Sequence, residues 1–203
     1  LADFASLPVE VTTFREPLGA AGEVARRLEP FAIVVAMRER TPFPRALIER
    51  LPQLRMIATT GKRNAAIDVA ACQERGIVVA GTASLAQPPV ELTWALILAL
   101  ARHLPAEAAA MRAGAWQSTV GIGLRGRTLG VVGLGRLGTE VARIGAAFGM
   151  QVIAWSPHLD DARAAAAGAR RVDREALFAT ADVVTIHLVL SERTRGLVGA
   201  AEL

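Results

Sequence analysis

One stretch in the second half of the chain constrains its fold more than any other: residues 128–138, Thr-Leu-Gly-Val-Val-Gly-Leu-Gly-Arg-Leu-Gly. A short β-branched run leads directly into Gly133, Gly135 and Gly138, and a helical pattern follows over 139–150 with Val141, Ile144 and Phe148 on one face. Strand, glycine turn and helix in that order are what a pyrophosphate-binding turn requires. The first glycine permits the tight turn, the second lets the backbone approach a phosphate, and the third brings helix and strand together. The N–H groups of Arg136 and Leu137 then open the helix toward the anion, reinforced by the helix dipole. A second match to the same letters, Gly121, Gly123 and Gly126, precedes a strand instead of following one and reads as a loop.

The rest of the chain repeats the alternation. Strands are expected at 9–14, 32–37, 56–59, 77–80, 129–133, 151–155 and 183–186, with a weaker one at 170–172. Helices are expected at 20–29, 43–51, 65–75, 137–149, 161–168 and 173–180. This predicts α/β architecture with parallel sheets covered on both faces. The segment 81–89, GTASLAQPP, interrupts the rhythm, and its Pro-Pro pair is read as unable to continue a helix interior. A helix over 90–103 follows that is apolar nearly all round, so it must be buried between domains or against a second subunit. His103 at its end suits a carbonyl-capping role, and Cys72 suits a buried, inert thiol.

Composition excludes several classes. The 203 residues carry a net charge of +4, with 22 arginines, one lysine (Lys62) and 19 acids. The arginines are scattered singly or in pairs, without the clustering or interleaved aromatics of a nucleic-acid surface. The longest apolar run, 92–101, falls far short of the roughly 18 residues that span a bilayer. No leader pattern and a single cysteine make a reducing cytoplasm the default expectation. No His, Cys, Asp or Glu cluster has metal-ligand spacing, so no metal site is expected.

Cofactor choice stays open at this level. The second strand of a dinucleotide fold normally ends in an acid that holds the adenosine ribose. Here that position is Ser156, with Asp160 and Asp161 arriving later. Ser156, His158 and Arg163 suit a 2′-phosphate; equally, Ser156 suits a plain ribose, so NAD and NADP stand level. His187, at the carboxyl end of the strand at 183–186, reads either as a cofactor-lining side chain or as a satisfied buried histidine.

Several ordered motifs extend beyond the glycines: 59–68 (TTGKRNAAID), 90–94 (VELTW), 112–116 (RAGAW), 125–138 (RGRTLGVVGLGRLG) and 187–196 (HLVLSERTRG). Together they resemble the D-isomer-specific 2-hydroxyacid dehydrogenases, the phosphoglycerate dehydrogenase-like enzymes, over nearly the whole chain. The resemblance implies two doubly wound parallel-sheet domains with a substrate cleft between them. One is a flavodoxin-like substrate domain at 1–88 lacking its opening strand. The other is a Rossmann NAD(P)-binding domain at 89–203 lacking its last strands. It further implies that Gly61, Lys62 and Arg63 form a substrate-carboxylate loop working through backbone N–H groups. Thr93, Arg136, Leu137, His187, Val189 and Thr194 match cofactor-contacting positions, although Val189 stands where a proline is common. Arg38, after the strand at 32–37, could also face that cleft, with a surface arginine the preferred reading.

The implied reaction is hydride transfer between a nicotinamide and C2 of a small 2-hydroxy or 2-keto acid. The family's Arg, Glu and His segments are expected beyond Leu203, so no catalytic residue is assigned here and the 203-residue chain is expected to be inactive. A homodimer through helix 90–103 is implied as well. A non-catalytic NAD(H)-sensing or scaffolding protein on the same fold is the alternative reading.

Overall fold

A computed structural model describes residues 8–202. It divides into two compact units that change over between Ser84 and Leu85, four residues before the change expected from sequence. Residues 1–7 and 203 of the two expected domains lie outside the described residues.

The first unit alternates α1 (Ala21–Leu28), β1 (Ile33–Ala36), α2 (Arg45–Ile48), β2 (Met56–Thr59), α3 (Val69–Glu74) and β3 (Val78–Gly81). The strands form one parallel sheet in the order β1-β2-β3, with Ile33 beside Met56 and Met56 beside Val78. Each strand is only four residues long, so the sheet depends on its apolar backing. Leu28, Phe43, Ile48, Ile57 and Cys72 are buried together in that backing. Asp68 starts α3 by accepting the Ala71 N–H at 2.9 Å, satisfying one of the helix's orphan donors.

The strand expected at 9–14 does not form. Its valines are exposed, and no strand among the described residues pairs with it. A period-two pattern makes a strand only where a neighbour completes the ladder. Here a cavity of about 800 Å³ is lined both by residues 14–19 and by residues 34–37 along and just after β1. Phe14 is instead held edge-on to Phe31, with ring centroids 5.9 Å apart, and Arg27 lies over its face.

The second unit contains α4 (Gln87–Ala101), α5 (Leu104–Arg112), β4 (Thr128–Val132), α6 (Arg136–Ala147), β5 (Gln151–Trp155), α7 (Asp161–Ala166), β6 (Arg170–Arg171), α8 (Arg174–Thr180) and β7 (Val183–Ile186). All the strand pairs are parallel, in the order β6-β5-β4-β7. Chain order reverses between β4 and β7, which makes that point the switch of a doubly wound sheet. Both faces of β4 are covered: Leu129 and Val131 pack with α4 and α6, while Val132 packs with Leu177 of α8. Gly130 belongs to this packing, since a Cβ there would stand 2.8 Å from Leu177 Cδ2 and 2.9 Å from Ala181 Cβ.

Two helix starts depart from expectation for one reason: α4 begins at Gln87, ahead of the expected residue 90, and α5 begins where no helix was expected. Pro88 and Pro89 lie in the first turn of α4, and Pro105 lies in the first turn of an unexpected helix, α5. First-turn N–H groups have no intrahelical partner, so a proline there costs no hydrogen bond. His103 separates the two helices in a left-handed conformation (φ 52°) and makes no side-chain cap, contrary to the capping role read from sequence. On α4 the buried face carries Val90, Trp94 and Ile97, while Leu92, Leu96 and Leu100 form an exposed stripe at intervals of four. Trp94 packs on Phe148 with ring centroids 4.8 Å apart. Among the described residues no helix is long and apolar enough to cross a membrane.

Candidate functional site

The carboxyl ends of three strands of the second unit are laced around Gly133. Its N–H donates to the Trp155 carbonyl at 2.8 Å, and the His187 N–H donates to the Val132 carbonyl at 2.8 Å. Gly133 has φ +100°, a region that L side chains avoid, and a Cβ there would lie 2.9 Å from the His187 carbonyl carbon. Gly138 is needed for a different reason: a Cβ on it would collide with the Gly133 carbonyl oxygen. These two glycines are therefore explained by the chain itself.

Gly135 is not. Its φ is −89°, open to any residue, and a Cβ there would meet no atom of the chain within 4 Å. The side chain is absent where the backbone faces open space at the head of α6, a twelve-residue helix with no side-chain N-cap. This is a cradle that a Cβ would fill. A helix N-terminus at a sheet switch point with that bare surface fits a dinucleotide pyrophosphate. Arg136 and Leu137 form the first turn of α6 beside it, exposed and half-buried respectively.

His187 forms the wall of the turn on the β7 side. Its Nε2 shares a hydrogen bond of 2.9 Å with Thr185 Oγ1, and half-burial pushes its pKa below the usual imidazole range. The ring is therefore neutral at neutral pH. Thr194 shapes the loop that follows: its hydroxyl donates to the Val189 carbonyl at 2.7 Å and accepts the Ser191 N–H at 2.8 Å. Val189, on the same loop, is exposed. The Thr93 hydroxyl donates to the Pro89 carbonyl at 2.8 Å, one turn back along α4. Ser156, half-buried, is the residue after β5, adjacent to the Trp155 carbonyl that anchors Gly133.

In the first unit, Gly61 turns the chain after β2 with φ +106° and is buried, whereas Lys62 and Arg63 are exposed. The Gly61 N–H donates to Thr82 Oγ1 at 3.0 Å, and the Thr82 N–H returns to the Gly61 carbonyl at 3.1 Å. That donor is engaged within the fold, which sequence reasoning did not foresee. Buried Asn64 braces the loop by donating to Thr59 Oγ1 at 3.0 Å and to the Arg38 carbonyl at 2.7 Å. Its Oδ1 also accepts the Ala66 N–H at 2.9 Å.

Arg38 is exposed, as its sequence reading holds, yet it is no bystander. It adopts φ +53°, donates its own N–H to Thr60 Oγ1 at 3.2 Å, and sets its guanidinium against Gly61. The supporting trio Asn64, Thr82 and Thr59 escaped the sequence. Its one signal is the polar residue at the end of β2 (Thr59) and the one directly after β3 (Thr82).

Residues 94–203, more than half of the chain, match the family model "D-isomer specific 2-hydroxyacid dehydrogenase, NAD binding domain". The chain belongs to the D-isomer specific 2-hydroxyacid dehydrogenases. A D-3-phosphoglycerate dehydrogenase of Archaeoglobus fulgidus is 35% identical across 97% of this chain and 37% of its own length. The crystal structure of a phosphoglycerate oxidoreductase from Vibrio cholerae superposes with a TM-score of 0.89 at 38% identity. It covers 95% of this chain and 62% of its own. A D-lactate dehydrogenase from Aquifex aeolicus, solved with NAD and lactic acid, matches at 25% identity and a TM-score of 0.68. That match covers 84% of this chain and 52% of the other. The chain thus spans between about a third and three-fifths of the length of these family members. The glycine cradle lies within the matched segment, so the second unit is this family's NAD binding domain.

Proposed function

We propose that this chain is the cofactor-holding part, with part of the substrate-holding part, of an NAD(P)-dependent D-2-hydroxyacid dehydrogenase. The observation that carries the reading is Gly135, bare toward open space for no reason internal to the chain, between two glycines that the fold requires. When bound, the cofactor supplies hydride exchange at the nicotinamide. Gly135, Arg136, Leu137 and Gly138 hold its pyrophosphate through backbone N–H groups, and Gly133, whose own N–H is held by the Trp155 carbonyl, makes the turn that presents them. Ser156 meets the adenosine ribose, and neutral His187, Val189 and Thr194 line the path from the switch point. Thr93 contributes from α4.

The Gly61–Lys62–Arg63 loop receives the carboxylate of a small 2-hydroxy or 2-keto acid. With Gly61 N–H engaged by Thr82, the loop acts through the rest of its backbone and through cationic Lys62, Arg63 and Arg38, which suit an anion. On this reading the substrate domain ends near residue 88 and the cofactor domain begins near 89. The enzyme works in the cytoplasm as a homodimer, burying the Leu92, Leu96 and Leu100 stripe of α4. Neither nucleic acid nor membrane is a partner.

Titration of the 203-residue chain with NADH, followed by nicotinamide fluorescence, tests the cofactor reading. Saturable binding with micromolar affinity is expected, and no binding of NADH or NADPH sinks it. For the reaction, a full-length homologue carrying these residues should oxidise D- but not L-2-hydroxy acids. Binding without turnover of any such acid favours an NAD(H) sensor instead.

A further inference from the structure

The residue that follows β5 is the one a dinucleotide fold uses to choose between NAD and NADP. An acid there accepts both ribose hydroxyls and repels a 2′-phosphate; a hydroxyl with a cation close by does neither. In this chain the position is Ser156, set beside the glycine cradle because the Trp155 carbonyl holds the Gly133 N–H at 2.8 Å. The turn after it is fixed. The Ser156 carbonyl accepts the Leu159 N–H at 3.1 Å, and the Leu159 side chain is buried in the core.

Both acids that follow are engaged elsewhere. Asp160 caps α7 by accepting the Arg163 N–H at 2.7 Å, and the Asp161 carboxylate lies 3.5 Å from Arg171 Nη1. Arg163 folds back the other way, donating from Nη1 to the His158 carbonyl at 3.2 Å. That contact brings a guanidinium onto the Ser156–Leu159 turn and uses one of its five N–H donors. The turn after β5 thus carries a hydroxyl and a guanidinium, with one oxygen of the Asp160 carboxylate taken by the α7 cap and Asp161 beside Arg171.

Resting on the cofactor reading above, the geometry points to a ribose subsite that accepts a 2′-phosphate. The chain binds NADPH and NADH with dissociation constants within about tenfold of each other, the discriminating acid being absent. Ser156 and Arg163 are the residues that set this tolerance.

The test is fluorescence titration of the 203-residue chain with NADH and NADPH separately, then of two variants. Ser156→Asp places a carboxylate at the phosphate and should raise the NADPH-to-NADH ratio of dissociation constants at least about tenfold. Arg163→Gln, an exposed change that leaves the Asp160 cap to the backbone N–H intact, should raise the NADPH-to-NADH ratio of dissociation constants several-fold. A thermal melt of each variant reports on folding. NADH binding with NADPH more than tenfold weaker overturns the tolerance but leaves the cofactor reading standing. Failure of both cofactors to bind overturns that reading itself. An unchanged NADPH-to-NADH ratio in both variants overturns the roles of Ser156 and Arg163.

Discussion

The two glycines Gly135 and Gly138, three residues apart, should respond in opposite ways to the same added methyl group. In Gly138→Ala the new Cβ meets the Gly133 carbonyl oxygen well inside contact distance, with Gly133 carbonyl carbon at 3.1 Å and Val131 Cγ1 at 3.2 Å. The nearest of these atoms are backbone, so the turn itself must shift. Overpacking of this kind costs about 1–3 kcal/mol, and a backbone obstacle belongs at the upper end. Alanine returns at most about 1 kcal/mol through helix propensity, leaving a net loss of roughly 2 kcal/mol. For a unit of this size that is a fall in Tm of several degrees.

Gly135→Ala meets no atom within 4 Å and has an ordinary φ. Its stability should be unchanged or raised by up to about 1 kcal/mol, since the unfolded chain loses freedom. NADH binding should nevertheless fall at least about tenfold, because the methyl group stands where the pyrophosphate approaches. The assays are thermal or urea unfolding of the 203-residue chain and NADH titration of the same samples. Gly135→Ala binding NADH within threefold of the parent would refute the cradle argument. Gly138→Ala as stable as the parent would refute the packing argument.

Other outcomes follow from the same contacts. Burial lowers the His187 pKa, so the unfolded chain takes up a proton first. Stability is present above about pH 6.5 and declines as pH falls through the folded pKa, and His187→Gln should flatten that slope in unfolding measurements. Asn64→Ala leaves the Thr59 hydroxyl, the Arg38 carbonyl and the Ala66 N–H without their partner. It should cost about 2–4 kcal/mol in urea unfolding of the first unit. Leu96→Glu on the exposed α4 stripe should yield a monomer by light scattering if α4 pairs subunits, with NADH binding retained; a persistent dimer places the interface elsewhere.

Much of the candidate site's scaffold was legible because its determinants are local. A β-branched run, three glycines and an amphipathic helix specify strand, turn and helix within some twenty consecutive residues, and β5 and β7 occur where the pattern puts them. Asp68, Asp160 and Asp173 each cap a helix, a position their residue type favours. The start of α4 and the whole of α5 were missed because a proline in a helix's first turn and one in its interior differ only in position. Residues 9–14 were misread because alternation describes a strand's faces and not its neighbours.

By itself the sequence determined the α/β alternation, the family, and the glycine turn with its helix. These rest on φ/ψ preferences and side-chain periodicity within one element or two. Only the tertiary structure decided that β7 lies beside β4, so that His187 closes on Gly133 across more than fifty residues of chain. It also decided which polar groups are already engaged: the Gly61 N–H by Thr82, the Asn64 amide by Thr59 and Arg38, and the carboxylates after Ser156 by a helix cap and an arginine. Hydrogen-bond satisfaction depends on what folds against a residue, and no local pattern encodes it.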